Sequence, residues 1–445
     1  MMKKVITYGS FDLFHEGHYK LLQRAKELGD YLIVGVTTEH YDESRGKLNV
    51  IDSLMTRVEH VRQTGFADEI IIEDHMGQKV EDIIKYEIDI FTVGSDWTGK
   101  FDFLKQYCDV VYLERTKDIS STLLRAKNFE IVKLGIIGTG RIAKRFISEV
   151  KYVSGIHTRC VYNPNLEHAK EFSDTYEINS YTNDRNVFFD MVDAVYIASP
   201  HPTHYEYAKM ALEKGKHVLC EKPMVFKKEQ AEELYDLSKQ NNCVLMEAVK
   251  TAYCPGFNQL LSVIRSGAIG NVYDVEACFT KLVPTNSREM ADTTYGGSFT
   301  ELGTYGLLPI LKILGDKYQD LHFEQMKNEQ GVDIYTKAYF RYKDAVATCK
   351  VGLGVKSEGQ LVISGNLGYI VVEAPWWKTQ SFEVKHEDPS LREKYFSKYL
   401  GDGLRYEISD FLSAINGNTK KTSKLSGKDS IKMAEIMEVF LEGRK

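Results

Sequence analysis

The sequence has few cysteines, no apolar run long enough to cross a bilayer and no long block of like charge. Its seven cysteines, Cys108, Cys160, Cys220, Cys243, Cys254, Cys278 and Cys349, are scattered and form no C-x-x-C pair. That excludes a disulfide framework or a cysteine zinc cluster, and fits reduced thiols in a cytoplasmic protein. Without a spanning segment, no membrane insertion is expected. The opening MMKKVITYGSFD enters a strand pattern at once, without the apolar core of a signal peptide. The net charge of −6 is spread along the chain, which argues against a nucleic-acid or membrane-surface partner. There is no internal repeat and no low-complexity tract.

What is present is an ordinary globular composition, 43% hydrophobic and 27% charged over 445 residues. That length predicts two or three domains. VITY (5–8) reads as a strand, and GHYKLLQRAKEL as a helix with Leu21, Leu22, Ala25 and Leu28 on one face and Gly29 suited to end it. YLIVGVT, EIIIE, IFTVG and VVYLE read as further buried strands separated by helical stretches, so a parallel sheet covered on both faces is expected. KLGIIGTGRIAKRF (133–146) starts the pattern again. After about residue 255, VYDVEACFTKL, IYTKAYFRY, AVATCKVGLG, QLVISGN and GYIVVEA alternate in the way of an antiparallel sheet with one open face. A last helix is predicted over 428–442.

The stretch GSFDLFHEGH (9–18) sets His15 and His18 three apart, with Gly17 between them, just after the first strand. Free N–H groups at a helix start favour an anion. Residues three apart share a helix face, and two imidazoles there can donate to the charge that builds up as a phosphoanhydride breaks. The alternative is that one histidine caps the helix and the other is solvated. GSFDLFHEGHYKLL resembles the nucleotidylyltransferase signature H-x-G-H. The nearer resemblance is to the cytidylyltransferases that act on glycerol 3-phosphate. Their second signature, R-T-x-G-I-S-T-T, stands here as RTKDISST (115–122), and DWTGKFDFLK (96–105) is similar to the stretch before it.

This resemblance implies that His15 and His18 stabilise the pentacoordinate phosphate of CTP. It implies a CTP site made by Gly9, Ser10, Phe11, Asp12, Arg115, Thr116, Ile119, Ser120, Ser121 and Thr122. It also matches Lys47 and Lys79 to lysines that bind substrate phosphates, although each alone is equally a solvated surface lysine. Mg²⁺ is expected on the triphosphate, with Asp12 a candidate ligand and no metal site certain. The implied reaction is attack by the phosphate of an alditol or ketose phosphate on the α-phosphorus of CTP, with pyrophosphate leaving. Asp118 stands where that family has Gly, and Gly65 where many members carry Arg, which leaves the acceptor open.

GIIGTGRIA (135–143) supplies G-x-G-x-x-A at Gly138, Gly140 and Ala143, after a strand and opening a helix, the context a dinucleotide pyrophosphate needs. The next strand ends in RCVYNPN, with neutral Asn163 where an acid would take a ribose hydroxyl. Arg141 is able to pair a 2′-phosphate, so NAD and NADP both stay open. DAVYIASPHPTHYEYAKMALEKGKHVLCEKPM (193–224) resembles the Gfo/Idh/MocA oxidoreductase family, through Pro200, His204 and Glu221-Lys222-Pro223. GGSFTELGTY (296–305) is similar to that family's second motif, with Glu301 for Asp and Tyr305 for His. The resemblance implies an NAD(P)H site that includes Gly138, Gly140, Arg141, Ile142, Asn163, Pro200, His204, Glu221, Lys222 and Pro223.

In that family the lysine matching Lys222 contacts nicotinamide and substrate. Tyr305, beside a cationic lysine, is expected to have a lowered pKa and to hand a proton to a carbonyl oxygen. If the segment is helical, Glu301 and Tyr305 share a face. The alternative is a buried tyrosine with a structural hydrogen bond. In MEAVKTAYCP, Ala252 stands where the related branch has Arg, and Lys250 is a candidate phosphate contact.

Together these resemblances assign 1–129 to a cytidylyltransferase domain of Rossmann-like fold and 130–255 to an NAD(P)-binding Rossmann domain. They assign 256–445 to an α+β domain with a mostly antiparallel open sheet. They imply a bifunctional, cytoplasmic enzyme, a homodimer as is common in both families, that makes a CDP-alditol for a teichoic-acid-like or capsular polymer. The alternative is a single-activity cytidylyltransferase with a non-catalytic nucleotide-binding module.

Overall fold

The computed structural model describes residues 2–114, 131–417, 422 and 424–444. By chain contacts it divides into two compact units, one of residues 1–133, 147–160 and 170–181, the other of 134–146, 161–169 and 182–445.

The first sheet holds β1 (Lys4–Gly9), β2 (Tyr31–Thr37), β3 (Glu69–Glu73), β4 (Ile90–Gly94) and β5 (Asp109–Leu113), in the order β3-β2-β1-β4-β5. Every pairing is parallel. Side chains alternate across a strand, so two cores form. Val5, Leu32, Val34 and Val36 pack on one face with Leu22 and Ala25 of the helix Glu16–Lys26. Ile6, Ile33, Phe91 and Val93 pack on the other with Ile83. Burial on both faces explains why these strands read as unbroken apolar runs. The helix ends earlier than its sequence predicts. Gly29 is not its left-handed cap; a Cβ there would stand 2.6 Å from the Lys3 carbonyl, so glycine serves a close chain approach.

The second sheet is β6 (Val132–Ile137), β7 (Ile156–Tyr162), β8 (Ser180–Thr182), β9 (Ala194–Ile197), β10 (His217–Glu221) and β11 (Leu245–Ala248), ordered β11-β10-β9-β6-β7-β8. The third has eight strands: β12 (Val272–Thr280), β13 (Asp320–Lys327), β14 (Asp333–Arg341), β15 (Val346–Gly352), β16 (Leu361–Gly365), β17 (Tyr369–Val372), β18 (Ser381–Lys385) and β19 (Arg392–Phe396). It is antiparallel except where β12 pairs with β15. β13, β18 and β19 carry too many polar residues to stand out in the sequence. The last helix, Gly427–Glu442, falls where expected.

The helix Ser298–Leu314 lies on the third sheet and carries Glu301 and Tyr305. Its N-cap, Gly297, offers no side chain. Instead Asp333 of β14 accepts the Phe299 N–H at 2.9 Å, and Arg444 pairs with the same carboxylate at 2.9 Å. Tertiary contact thus satisfies an N–H that a local cap usually takes.

Candidate functional sites

In both α/β sheets a crevice opens where strand order reverses, outside the carboxyl ends of β1 and β4 and of β6 and β9. The loop after β1 is strained, with φ of +51° at Phe11 and +46° at Leu13. Such conformations persist only where the surroundings impose them. Arg57, fully buried, is the fastener: its guanidinium donates to the carbonyls of Ser10 at 2.8 Å, Thr37 at 2.7 Å and Asp52 at 3.0 Å. Nothing in MTRVEHV distinguishes this arginine from a solvated one on an amphipathic helix.

His15 is the N-cap of the helix Glu16–Lys26, its Nδ1 accepting the Gly17 N–H at 3.0 Å. An accepting Nδ1 assigns the neutral ring's hydrogen to Nε2. His15 stacks on His18, ring centres 3.9 Å apart, and the Phe11 and Phe14 rings lie 5.5 Å from His18. The desolvation of His18, helped by His15, holds its pKa well below the usual histidine value. The capping alternative thus holds for His15, while both rings still line one cleft together with Ser10, Asp12, Lys47 and Lys79.

Asp12 Oδ1 accepts the N–H groups of Ile51 at 3.0 Å and Asp52 at 2.8 Å, while its buried Oδ2 has no hydrogen-bond partner. Among the described residues no cluster of three or more His, Cys, Asp or Glu is placed to hold a metal. Lys79 is no solvated lysine: it is buried, pairs with Glu73 and lies 4.4 Å from the Tyr8 ring centre. Lys47 donates to Ser10 Oγ. Burial lowers the pKa of both lysines. Arg115, Thr116, Ile119, Ser120, Ser121 and Thr122 lie outside the described residues.

The second crevice fits a dinucleotide. Gly138 turns with φ +98°, and a Cβ there would meet the Ala198 carbonyl at 2.7 Å; a Cβ on Gly140 would meet nothing within 4 Å. The helix Arg141–Val150 starts at this open turn, with Ile142 in its first turn. Asn163 ties the turn to the β7 loop, donating to Thr139 Oγ1 at 2.9 Å and accepting the Asn165 N–H at 2.9 Å. Arg141 is 73% exposed at its side chain, 3.8 Å from Glu289.

After β9, Pro200 leads into His201 and His204. The structure corrects the cofactor role of His204. It has no exposed surface, and its ring nitrogens face the Ser199 and Pro223 carbonyls at 2.9 and 3.0 Å, so it ties two loops together. Glu221 is likewise buried and accepts the Tyr196 hydroxyl at 2.6 Å. Lys222 Nζ donates to the Glu301 carbonyl at 2.9 Å and lies 5.6 Å from the Tyr305 ring centre. The Glu301 carboxylate turns instead toward Arg288 at 3.4 Å and His201 at 3.8 Å. The sequence reading passed over His201, whose pKa falls to about 2 through burial and then the Lys222 charge.

Tyr305 departs from expectation. Burial first, then the Glu221 and Glu407 carboxylates, raise its pKa rather than lower it. A phenol so placed keeps its proton at neutral pH. Lys250 Nζ donates to the Asp402 carbonyl at 2.9 Å, and Ala252 is buried.

The chain therefore combines two nucleotide-binding α/β folds, the second joined to an open-sheet domain. Residues 6–127 match the model of the cytidylyltransferase-like family. Residues 132–249 match that of the oxidoreductase family with an NAD-binding Rossmann fold, and 257–371 that of the GFO/IDH/MocA C-terminal domain. The glycerol-3-phosphate cytidylyltransferase of Bacillus spizizenii is 52% identical over 124 residues, 28% of this chain and 95% of that protein. The trans-1,2-dihydrobenzene-1,2-diol dehydrogenase of Xenopus laevis is 27% identical over 324 residues, 70% of this chain and 97% of that one. A 3-ketoreductase from Actinomadura kijaniata, solved with NADP and TDP-benzene, shares the fold of the second part. Its TM-score is 0.60 at 21% identity, covering 69% of this chain and 96% of that one. The chain belongs to the cytidylyltransferase-like family in its first part and to the GFO/IDH/MocA oxidoreductases in the rest. It is a cytidylyltransferase joined to an NAD(P)-dependent oxidoreductase. Among the described residues no helix is long and apolar enough to cross a membrane.

Proposed function

We propose that this protein makes a CDP-alditol, by transferring CMP from CTP to an alditol or ketose phosphate and reducing the ketose moiety with NAD(P)H. The observation that carries the reading is the histidine pair, His15 stacked on His18 at 3.9 Å in the cleft after β1, in a chain that also sets Lys222 5.6 Å from Tyr305. In the first reaction the acceptor phosphate oxygen bonds to the α-phosphorus of CTP and pyrophosphate leaves. His15 and His18, both neutral, donate Nε2–H hydrogen bonds to the charge on the phosphoryl oxygens. Lys47 and Lys79 hold substrate phosphates, and Mg²⁺ arrives with the triphosphate as part of the substrate.

In the second reaction a dihydronicotinamide, when bound, would supply a hydride to the carbonyl carbon. Gly138 and Gly140 let the backbone approach the pyrophosphate, and Arg141 is free to meet a 2′-phosphate. Lys222 polarises the carbonyl oxygen. Tyr305, protonated at neutral pH, gives its proton to that oxygen, so an alcohol and oxidised cofactor result.

The test is incubation with CTP, Mg²⁺, NADH or NADPH and a panel of ketose phosphates of three to six carbons. Pyrophosphate release and loss of nicotinamide absorbance are expected together with a CDP-alditol by mass spectrometry. Pyrophosphate release with no cofactor oxidation on any member would overturn the reading.

A further inference from the structure

Resting on that reading, we infer that the reductase half takes its ketose as an anion, with Lys250 and Lys378 as the receptor for phosphate on the substrate reduced beside Lys222 and Tyr305. The phosphate is either the monoester of a ketose phosphate or the diphosphate of a CDP-ketose.

The three lysines stand along one aromatic wall. Tyr305 meets Phe279 edge-on at 5.1 Å, and Phe279 stacks on Trp377 at 3.6 Å. Lys378 follows Trp377 directly, with Nζ 5.7 Å from the Tyr399 ring centre. Lys250 Nζ and the Tyr399 hydroxyl both donate to the Asp402 carbonyl, at 2.9 and 2.8 Å. The Thr251 hydroxyl holds the Trp377 carbonyl at 2.8 Å. Residues 250–253 and 376–378, distant in sequence, are thereby fastened together with both ammonium groups beside Tyr399.

Arg444 pairs with Asp333 at 2.9 Å and Lys312 with Asp429 at 3.1 Å, while half-buried Lys47, Lys350 and Lys356 rest on a hydroxyl or a carbonyl. This cluster is set apart by three such lysines along one wall beside Tyr305. Among the described residues Lys222, Lys250 and Lys378 have no such ion pair, although all three are half-buried. Lys222 and Lys250 donate to neutral carbonyls. Ammonium groups that have lost water without gaining an anion are costly, and a phosphate supplies the missing charge-assisted hydrogen bonds. The acids facing this wall act on Lys222 and Lys250 through their charge but form no ion pair with them. Glu221 and Glu407 are buried, Glu221 bonded to Tyr196, and the Asp402 carboxylate faces Arg145 at 4.0 Å. Burial lowers the Lys250 pKa, and the Lys378 charge acts the same way against Glu407 and Asp402.

The experiment compares each ketose of three to six carbons with its phosphate and its CDP ester on the full chain. It follows cofactor oxidation and, for binding, quenching of bound NADPH fluorescence, which reports the nicotinamide site alone. The phosphorylated form should exceed the free ketose in kcat/KM by about tenfold or more. Lys250→Ala and Lys378→Ala should bring that ratio toward one through KM, and Lys378→Arg should restore it. Retained kcat/KM for the free ketose shows that the second unit of each variant is folded. Preference for the monoester or for the CDP ester separates the two sources. Equal use of free and phosphorylated ketose by the parent chain, or a ratio unmoved in both alanine variants, overturns the inference and leaves the functional reading standing. If no ketose is reduced, the functional reading fails. Inorganic pyrophosphate quenching of bound NADPH then decides the anion site: quenching lost in the variants supports it, and no quenching overturns it.

Discussion

The crevice after β1 and the crevice after β6 start from the same device, a strand end, a tight turn and a helix start. They are completed in different ways. In the first, His15 and His18 come from one helix start, and the distant contribution is support: Arg57 gripping three carbonyls, Asp12 clasping Ile51 and Asp52. In the second, the dinucleotide turn is local, but the reacting groups come from segments up to 83 residues apart in number, Lys222 after β10 and Tyr305 on a helix whose start is capped by Asp333. Chemistry concentrated in one short segment is readable from a sequence. Chemistry assembled by packing leaves its electrostatics unread, as the raised pKa of Tyr305 illustrates.

The largest test of this contrast is a pair of substitutions. His18→Ala should lower CMP transfer by about 10²–10³-fold and spare ketose reduction, and Lys222→Ala should do the reverse, by the loss of a group that stabilises developing charge. Both activities lost from either change would break the separation of the sites. Tyr305→Phe should slow reduction by about 10²–10⁴-fold, the usual scale for a general acid. In the parent chain the reduction rate should stay level through pH 10, where an ordinary phenol titrates. A fall there would show an unperturbed phenol.

Arg57→Ala would leave the Asp42 carboxylate, 3.7 Å from the guanidinium, and three carbonyls buried without their cation and should destabilise the first unit by about 3–5 kcal/mol, measured by urea unfolding followed by loss of CMP transfer. Acid should act through both units, through His18 in the first and through His201 and His204 in the second. His201 and His204 have lowered pKa values, that of His201 about 2, so they are neutral when folded and gain protons on unfolding. Their contribution is present above the unfolded value of about 6.5 and is lost as pH falls below it, at about 1 kcal/mol for His201 one pH unit lower, with His204 acting in the same direction. A urea midpoint unchanged between pH 7 and pH 5.5 would contradict this. The smallest effect is expected at the last helix. Ser426→Ala removes a capping box with Asp429 and should cost about 0.5–2 kcal/mol in urea unfolding followed by loss of ketose reduction.

Much of the architecture was legible because apolar periodicity reports burial directly. The five strands of the first sheet and the glycine turn at Gly138 fall where their patterns put them. β13 and β19 were missed, since DLHFEQMK and REKYF expose much of their length, and β18 was missed because SFEVK offers only Phe382 and Val384 to the core. At the sites, the residue types of H-x-G-H and E-K-P were enough to find His15, His18 and Lys222. Arg57 and His201 were not found, because nothing about an arginine or histidine in a helix or loop reveals that three carbonyls or a neighbouring lysine will face it.

The sequence by itself determined that two nucleotide-binding turns follow two strands, and which side chains stand in them, because strand period, glycine turns and helix starts are local. Only the tertiary structure decided which charges are compensated. It gave Lys79 a carboxylate and left Lys250 and Lys378 without one, and it closed His204 between two carbonyls. It also kept the proton on Tyr305. Burial and the neighbours it brings set those states, and neither is a property of a residue's place along the chain.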